Sequence, residues 1–260
     1  LAISHSSPAI PARLGLIAAM PVEADALAGR LGLVPGEPCA GRPAARRPDG
    51  RVTLVTAGVG RPRARAAAEG LAEMGADALV SLGVCAALDA ALAIGDVVVG
   101  TEVIAEGGRP FRAAPALLEA ARAVAAGSRG LVAFGRVVTV DRAIARAREK
   151  AALAAGWGAV ALEMEGEGIA AAAAARGLPF LIIRAVSDRA NEDLGEALAR
   201  SVAADGTVDR GRLKRELARR PWELPRLLRL RRQVARAAAA AAAFAAAWVD
   251  RLIAPGPPGR

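Results

Sequence analysis

Tyrosine is absent from this chain of 260 residues, histidine occurs once, cysteine twice, and aromatic residues make up 3%. Each shortage removes a class of chemistry. The single histidine, His5, lies in a Ser/Pro-containing N-terminal stretch. A histidine base, a Ser-His triad or a histidine-ligated metal would have to rest on that residue, and all three are discounted. Cys39 and Cys85 stand far apart without partners at metal-ligand spacing, which argues against a disulfide framework or a zinc site and fits a reducing interior. Few aromatics also weigh against a nucleic-acid surface, where basic residues are interleaved with stacking rings. Long apolar runs are missing too: the longest, Ala237 to Val249, is mostly alanine and short for a bilayer. The first apolar segment, Leu14 to Met20, leads into acidic residues rather than a small-residue cleavage site, so no secretory signal is expected. The expectation is a cytoplasmic protein with no cofactor and no metal.

What is present reads as an ordinary globular chain, 54% hydrophobic and 23% charged. Its net charge of +9 is unevenly placed: from Arg219 to Arg236 there are seven arginines against one glutamate, and the body is nearly balanced. A nucleic-acid partner is therefore not expected.

Short apolar segments alternate with helical ones. RLGLIAAMP (13–21) reads as a strand and VEADALAGRLGL (22–33) as a helix. A Pro/Gly/Arg-rich connection (35–50) follows, then the strand RVTLVTAGVG and a helix over about 63–74. ALVSLGVCAAL, GDVVVGTEVI, GLVAFGRVVTV, GAVALEME and PFLIIRAVSD complete the strands, with helices over 115–126, 142–155 and 167–177. Such alternation predicts an α/β fold of three layers around a mostly parallel mixed sheet. Residues 1–12 read as a loose tail, 13–210 as the α/β domain, and 211–260 as a basic, alanine-rich helical extension with breaks at Pro221 and Pro225.

In sheets of this kind ligands bind beyond the carboxyl ends of the strands. Acids stand at four of those ends: Glu23, Asp141, the Glu163/Glu165 pair and Asp188. Each has an ordinary explanation. Glu23 suits the first turn of a helix, Asp188 is either a helix cap or a buried general acid, and the glutamates of ALEMEGEG form either a solvated strand end or a site. Alternation along a strand would put Glu163, Glu165 and Glu167 on one face and Met164 on the other. AGVGRPRA has Arg63 where a dinucleotide fingerprint needs a third glycine, so it reads as a tight turn offering backbone N–H groups. The recurrence of acids at strand ends carries more weight than any one of them.

Taken in order, GLIAAMPVEADAL, TAGVG, GDVVV, VALEMEGEGIA and PFLIIRAVSD resemble the nucleoside phosphorylase/hydrolase superfamily, and most nearly its 5′-methylthioadenosine/S-adenosylhomocysteine nucleosidase branch, over residues 13–194. The resemblance implies Glu23 as general base on water, Asp188 as acid toward purine N7 with Ser187 beside it, Glu165 on the ribose hydroxyls, Met164 against the sugar, Arg184 as organiser, and a homodimer. Glu163 is expected to pair with Arg184, and Glu167 to be a helix-start acid. Ser81 and Val84 stand where phosphorylases hold phosphate, which favours water as nucleophile. Ala143 replaces the base-stacking phenylalanine of the nucleosidases, and Val84 replaces a small polar residue. The stretch VSDRANEDLGEALARSVAADGTVDRGRLKRELARRPWELPRLLRLRRQVARA, together with TVDRAIARAREKAAL, is similar to the hopanoid-biosynthesis-associated nucleosidases, often labelled phosphorylases. This implies an adenosylhopane-type substrate; the arginine-rich 219–236 helix would then either rest on an anionic membrane surface or pack on the domain with its arginines in solvent. A phosphate-dependent phosphorylase, a futalosine-type hydrolase and a non-catalytic nucleoside- or membrane-binding protein remain as alternatives.

Overall fold

The computed structural model describes residues 11–253 except 106 and 204–206. His5 and most of the expected 1–12 tail lie outside the described residues. The strands are β1 (Leu14–Ala18), β2 (Val34–Cys39), β3 (Arg42–Arg46), β4 (Val52–Thr56), β5 (Ala78–Ala87), β6 (Val97–Ala105), β7 (Phe111–Arg112), β8 (Val132–Thr139), β9 (Ala161–Glu163) and β10 (Phe180–Asp188). The helices are α1 (Pro21–Leu31), α2 (Arg61–Glu73), α3 (Pro115–Ala125), α4 (Ala147–Trp157), α5 (Gly166–Ala175), α6 (Glu196–Ala199), α7 (Arg210–Arg219) and α8 (Leu224–Ile253).

Among the described residues the strands form one mixed sheet in the order β10-β6-β8-β9-β5-β1-β4-β3-β2, with β7 on β6. Because β10 also pairs with β5, the first five strands of that order close into a ring. The pairings β1–β4, β1–β5, β5–β10, β6–β8 and β8–β9 are parallel and carry most of the register. β1, β5 and β10 are buried almost throughout, as strands covered on both faces must be. One core cluster joins them to α1, α3 and α8, and a second lies on the side of α2 and α5.

Three local expectations give way. The 35–50 connection contains a hairpin, β2–β3, whose outer strand β2 forms the sheet edge, where Pro35 and Pro38 can be accommodated. Residues 142–146 are not helical: Ala145 accepts from the Leu194 N–H at 2.8 Å, and Asp193 accepts from the Ala147 N–H at 2.7 Å, so a tertiary partner replaces the first helical turn. Pro225 sits in the first turn of α8 and does not break it, since a proline there forfeits only an N–H with no helical acceptor. The alanine half of α8 packs into the main core with Trp248 fully buried, its indole N–H donating to the Leu117 carbonyl at 3.1 Å.

Candidate active site

The turn from β1 into α1 places Glu23 one residue after the Pro21–Val22 start of the helix, where the dipole and the unpaired N–H groups favour an acid. Its carboxylate points back into the protein. It accepts from the backbone N–H of Ala19 at 3.0 Å and Met20 at 2.8 Å, and, across on β5, from Val84 at 2.9 Å. Burial pushes its pKa up, while the Arg184 cation and those three N–H groups oppose the rise. Leu27, Leu82 and alanines 238, 241, 242 and 245 form the apolar wall behind it.

Gly83 makes this approach possible. A Cβ there would stand 2.5 Å from Arg184 Nη1 and 2.5 Å from Glu23 Oε1, well inside contact distance. Only a residue without a side chain lets the carboxylate and the guanidinium both come this close to the β5 backbone.

Arg184, on β10 opposite Gly83, is 1% exposed. Its Nη2 donates to Ser81 Oγ at 2.8 Å, is ion-paired with Glu163, and reaches Glu165 at 3.5 Å. Its Nε is buried without a partner among the described residues. The expected Glu163–Arg184 pair is therefore present. Glu163 also accepts from Thr139 Oγ1 at 2.6 Å and from the N–H groups of Glu165 at 3.0 Å and Gly166 at 2.8 Å, so it closes the start of α5 as well.

The three glutamates do not alternate along a strand. β9 ends at Glu163, and the chain turns so that Glu165 flanks α5. Glu165 Oε1 accepts from the Gly60 N–H at 3.0 Å, so the AGVG turn does offer its backbone to an anion, and the anion is the protein's own. Burial, with Glu163 nearby and Arg184 opposing, pushes the Glu165 pKa up to about 7. Met164 is half-buried beside it. Glu167 lies in the first turn of α5 as expected and pairs with Arg61 at 3.5 Å. Asp141 is turned outward, where it binds the Arg61 side chain, and does not join the buried carboxylates.

Asp188 lies four residues beyond Arg184, at the end of β10 and past an irregularity between Val186 and Asp188. It caps no helix. It is buried and ion-paired with Lys150 of α4, and Ser187 Oγ donates to its other oxygen at 2.8 Å. Burial raises its pKa against the opposing pull of Lys150 and Ser187. Lys150 was not anticipated: it is one charge on an alanine-rich helix, and its partner is 38 residues away in sequence.

The arrangement thus has two ends. At one, Glu23, Glu163 and Glu165 surround a single guanidinium; at the other is a buried acid held by lysine and serine. Carboxylates that face a developing cation, with an acid that meets a developing anion, suit cleavage of a bond that separates charge. Among the described residues no group of His, Cys, Asp and Glu could hold a metal ion.

The profile of the phosphorylase superfamily matches residues 13–219. A comparison with curated proteins found no match. Among solved structures, the chain is similar to the 5′-methylthioadenosine/S-adenosylhomocysteine nucleosidase of Neisseria meningitidis in complex with methylthio-immucillin-A, with 25% identity, a TM-score of 0.71, and coverage of 92% of this chain and 98% of that one. The nucleosidase of S. pneumoniae with a transition-state inhibitor is 22% identical with a TM-score of 0.72, covering 92% and 99%. Futalosine hydrolase of Helicobacter pylori is 17% identical with a TM-score of 0.73, covering 92% and 97%.

Proposed function

Because the chain belongs to the phosphorylase superfamily, we propose that it hydrolyses the N-glycosidic bond of a 5′-modified purine nucleoside. The observation that carries this reading is the Glu23 carboxylate, fixed by three backbone N–H groups and set against Arg184. There it would take a proton from water attacking the sugar, with Arg184 organising the carboxylates around it. Glu165 would hold the ribose hydroxyls and Met164 would line the sugar. Asp188, steadied by Ser187, would protonate the departing base at N7. Cleavage builds positive charge on the sugar and negative charge on the base, and the two ends of the site match those signs.

Water is favoured over phosphate for a local reason. The Val84 N–H, which could cradle an anion, is already taken by Glu23, and Ser81 is fully buried under Arg184. The names of the structural neighbours, nucleosidases and a futalosine hydrolase, support a purine nucleoside as substrate.

An adenosylhopane-type substituent is the preferred 5′ group, with methylthioadenosine or S-adenosylhomocysteine next. A cavity of about 540 Å³ beside Thr139 has an apolar side of Val138, Val140, Ile144, Leu153 and Trp157, which supports an apolar group, and a charged side of Asp141, Arg142 and Glu149. The expected 219–236 helix is not continuous: α7 ends at Arg219, a 3₁₀ turn spans Pro221–Glu223 and α8 begins at Leu224; this arginine-rich segment would then rest on an anionic membrane from the cytoplasmic side. Trp222, Leu224 and Leu228 are exposed along it, and Arg229, Arg232 and Arg236 line a cavity with Arg189. The active assembly is proposed to be a homodimer.

The test is chromatographic. Methylthioadenosine, S-adenosylhomocysteine, inosine, futalosine and adenosylhopane are each incubated with the protein, with and without phosphate. Free base and free sugar are expected without phosphate, falling about 10²–10⁴-fold in Glu23→Gln and in Asp188→Asn. No base from any substrate would leave only a binding protein.

A further inference from the structure

On α4 the one buried residue is a charge. Lys150 is 0% exposed, and its ammonium reaches three acceptors: an oxygen of Asp188, the Arg189 carbonyl at 2.8 Å and the Glu192 carbonyl at 3.0 Å. An ammonium has three protons to donate, and all three have acceptors here. The charged end of the side chain is thus anchored by one carboxylate and two backbone carbonyls, with no solvent contact. The same side chain ties α4 to the segment following β10, which Ala147 and Asp193 also join.

We infer that Lys150 is a positioning residue: through direct contact with Asp188 it sets the pH above which the site can no longer protonate a leaving base. The inference rests on the nucleosidase reading above. Proton transfer from Asp188 to the departing nitrogen breaks an O–H bond, forms an N–H bond and leaves a carboxylate. Lys150 stabilises that carboxylate and so makes the proton easier to give up.

The other groups facing Asp188 cannot take its place. Ser187, its neighbour on β10, contributes a neutral hydroxyl. Cys85 on β5 is a thiol that burial keeps protonated. Glu192, in the segment after β10, has the opposite charge to Lys150, and its carboxylate is held by the Arg189 N–H and by Gln233 of α8.

The sign follows from the charge. An adjacent cation favours the ionised form of Asp188, so removing it leaves burial unopposed and Asp188 retains its proton to higher pH. The experiment is the pH profile of kcat/KM with whichever nucleoside the wild-type protein cleaves, in wild type, Lys150→Met, Lys150→Gln and Lys150→Arg. The alkaline limb is expected to move up by about one pH unit or more in both neutral variants and to stay in place with arginine. A uniform fall in rate at every pH with the limb unmoved would overturn the inference. So would failure of both neutral variants to fold, since Lys150 would then serve structure alone. Absence of base release by the wild-type protein would instead overturn the nucleosidase reading.

Discussion

Glu165 carries the clearest consequence at the scale of a single residue. Its folded-state pKa lies near 7, against an ordinary value of 4.5, because it is buried beside Glu163 with only partial relief from Arg184. Between those two values the folded protein binds a proton that the unfolded chain releases. Its contribution to stability is therefore fully present below about pH 4.5 and is lost as pH rises through about 7, at up to about 1.4 kcal/mol per pH unit within that window. Glutamine mimics the protonated form. In urea unfolding, Glu165→Gln should gain on the wild type by roughly 2–3 kcal/mol between pH 5 and pH 7.5. A constant difference across that range would show that Glu165 titrates as an ordinary carboxylate. Glu23, Glu165 and Asp188 stood out in the sequence because each stands at or near the end of an apolar run, where a charge needs a reason; Arg184, inside such a run, was singled out only by the resemblance. Lys150 did not stand out, because its reason is a carboxylate on another element.

At the scale of elements, alanine has a structural use that composition alone did not reveal. Small side chains let a helix approach its neighbours closely. Ala238, Ala241, Ala242 and Ala245 of α8 come so near Glu23, Leu27 and Gly83 that a space of only about 10 Å³ remains. The sequence showed an alanine tract; that it forms the dry wall behind a carboxylate depended on contacts some 200 residues apart. Ala241→Leu should overfill that space, cost about 1–3 kcal/mol in unfolding free energy, and lower kcat/KM by displacing Glu23. Ala239→Leu, on the exposed side of the same helix, should change neither. Equal effects of the two would mean that the wall plays no part. The β2–β3 hairpin escaped sequence reading for another reason: Pro35, Gly36, Pro38, Gly41 and Pro43 interrupt its alternation; Pro35, Gly36 and Pro38 are tolerated because β2 is the edge strand, and Gly41 lies in the turn.

For the whole molecule, the alternation of apolar strands and helices was sufficient to predict the α/β class, but not the closure of β5, β10, β6, β8 and β9 into a ring. Closure depends on β10 pairing on both edges, and one-dimensional patterning contains no information about that. The ring brings β5 and β10 side by side and so sets Arg184 over Gly83. Outside it, the exposed Trp222, Leu224 and Leu228 lead to a surface prediction: the protein should float with phosphatidylglycerol-containing vesicles more than with phosphatidylcholine alone, and Trp222→Ala should weaken this. No preference between the two vesicles would remove the membrane contact and leave the site unaffected. No helix among the described residues is long and apolar enough to cross a membrane, so any such contact would be made from the surface.

The central claim is that water, directed by Glu23, breaks a nucleoside's glycosidic bond. The most direct measurement is the reaction in ¹⁸O-labelled water with unlabelled phosphate present, with the sugar product examined by mass spectrometry. A free sugar carrying one ¹⁸O from the attack is expected, as a burst fast enough to precede exchange, with no sugar phosphate. A sugar 1-phosphate without the label would contradict the claim and make phosphate the nucleophile.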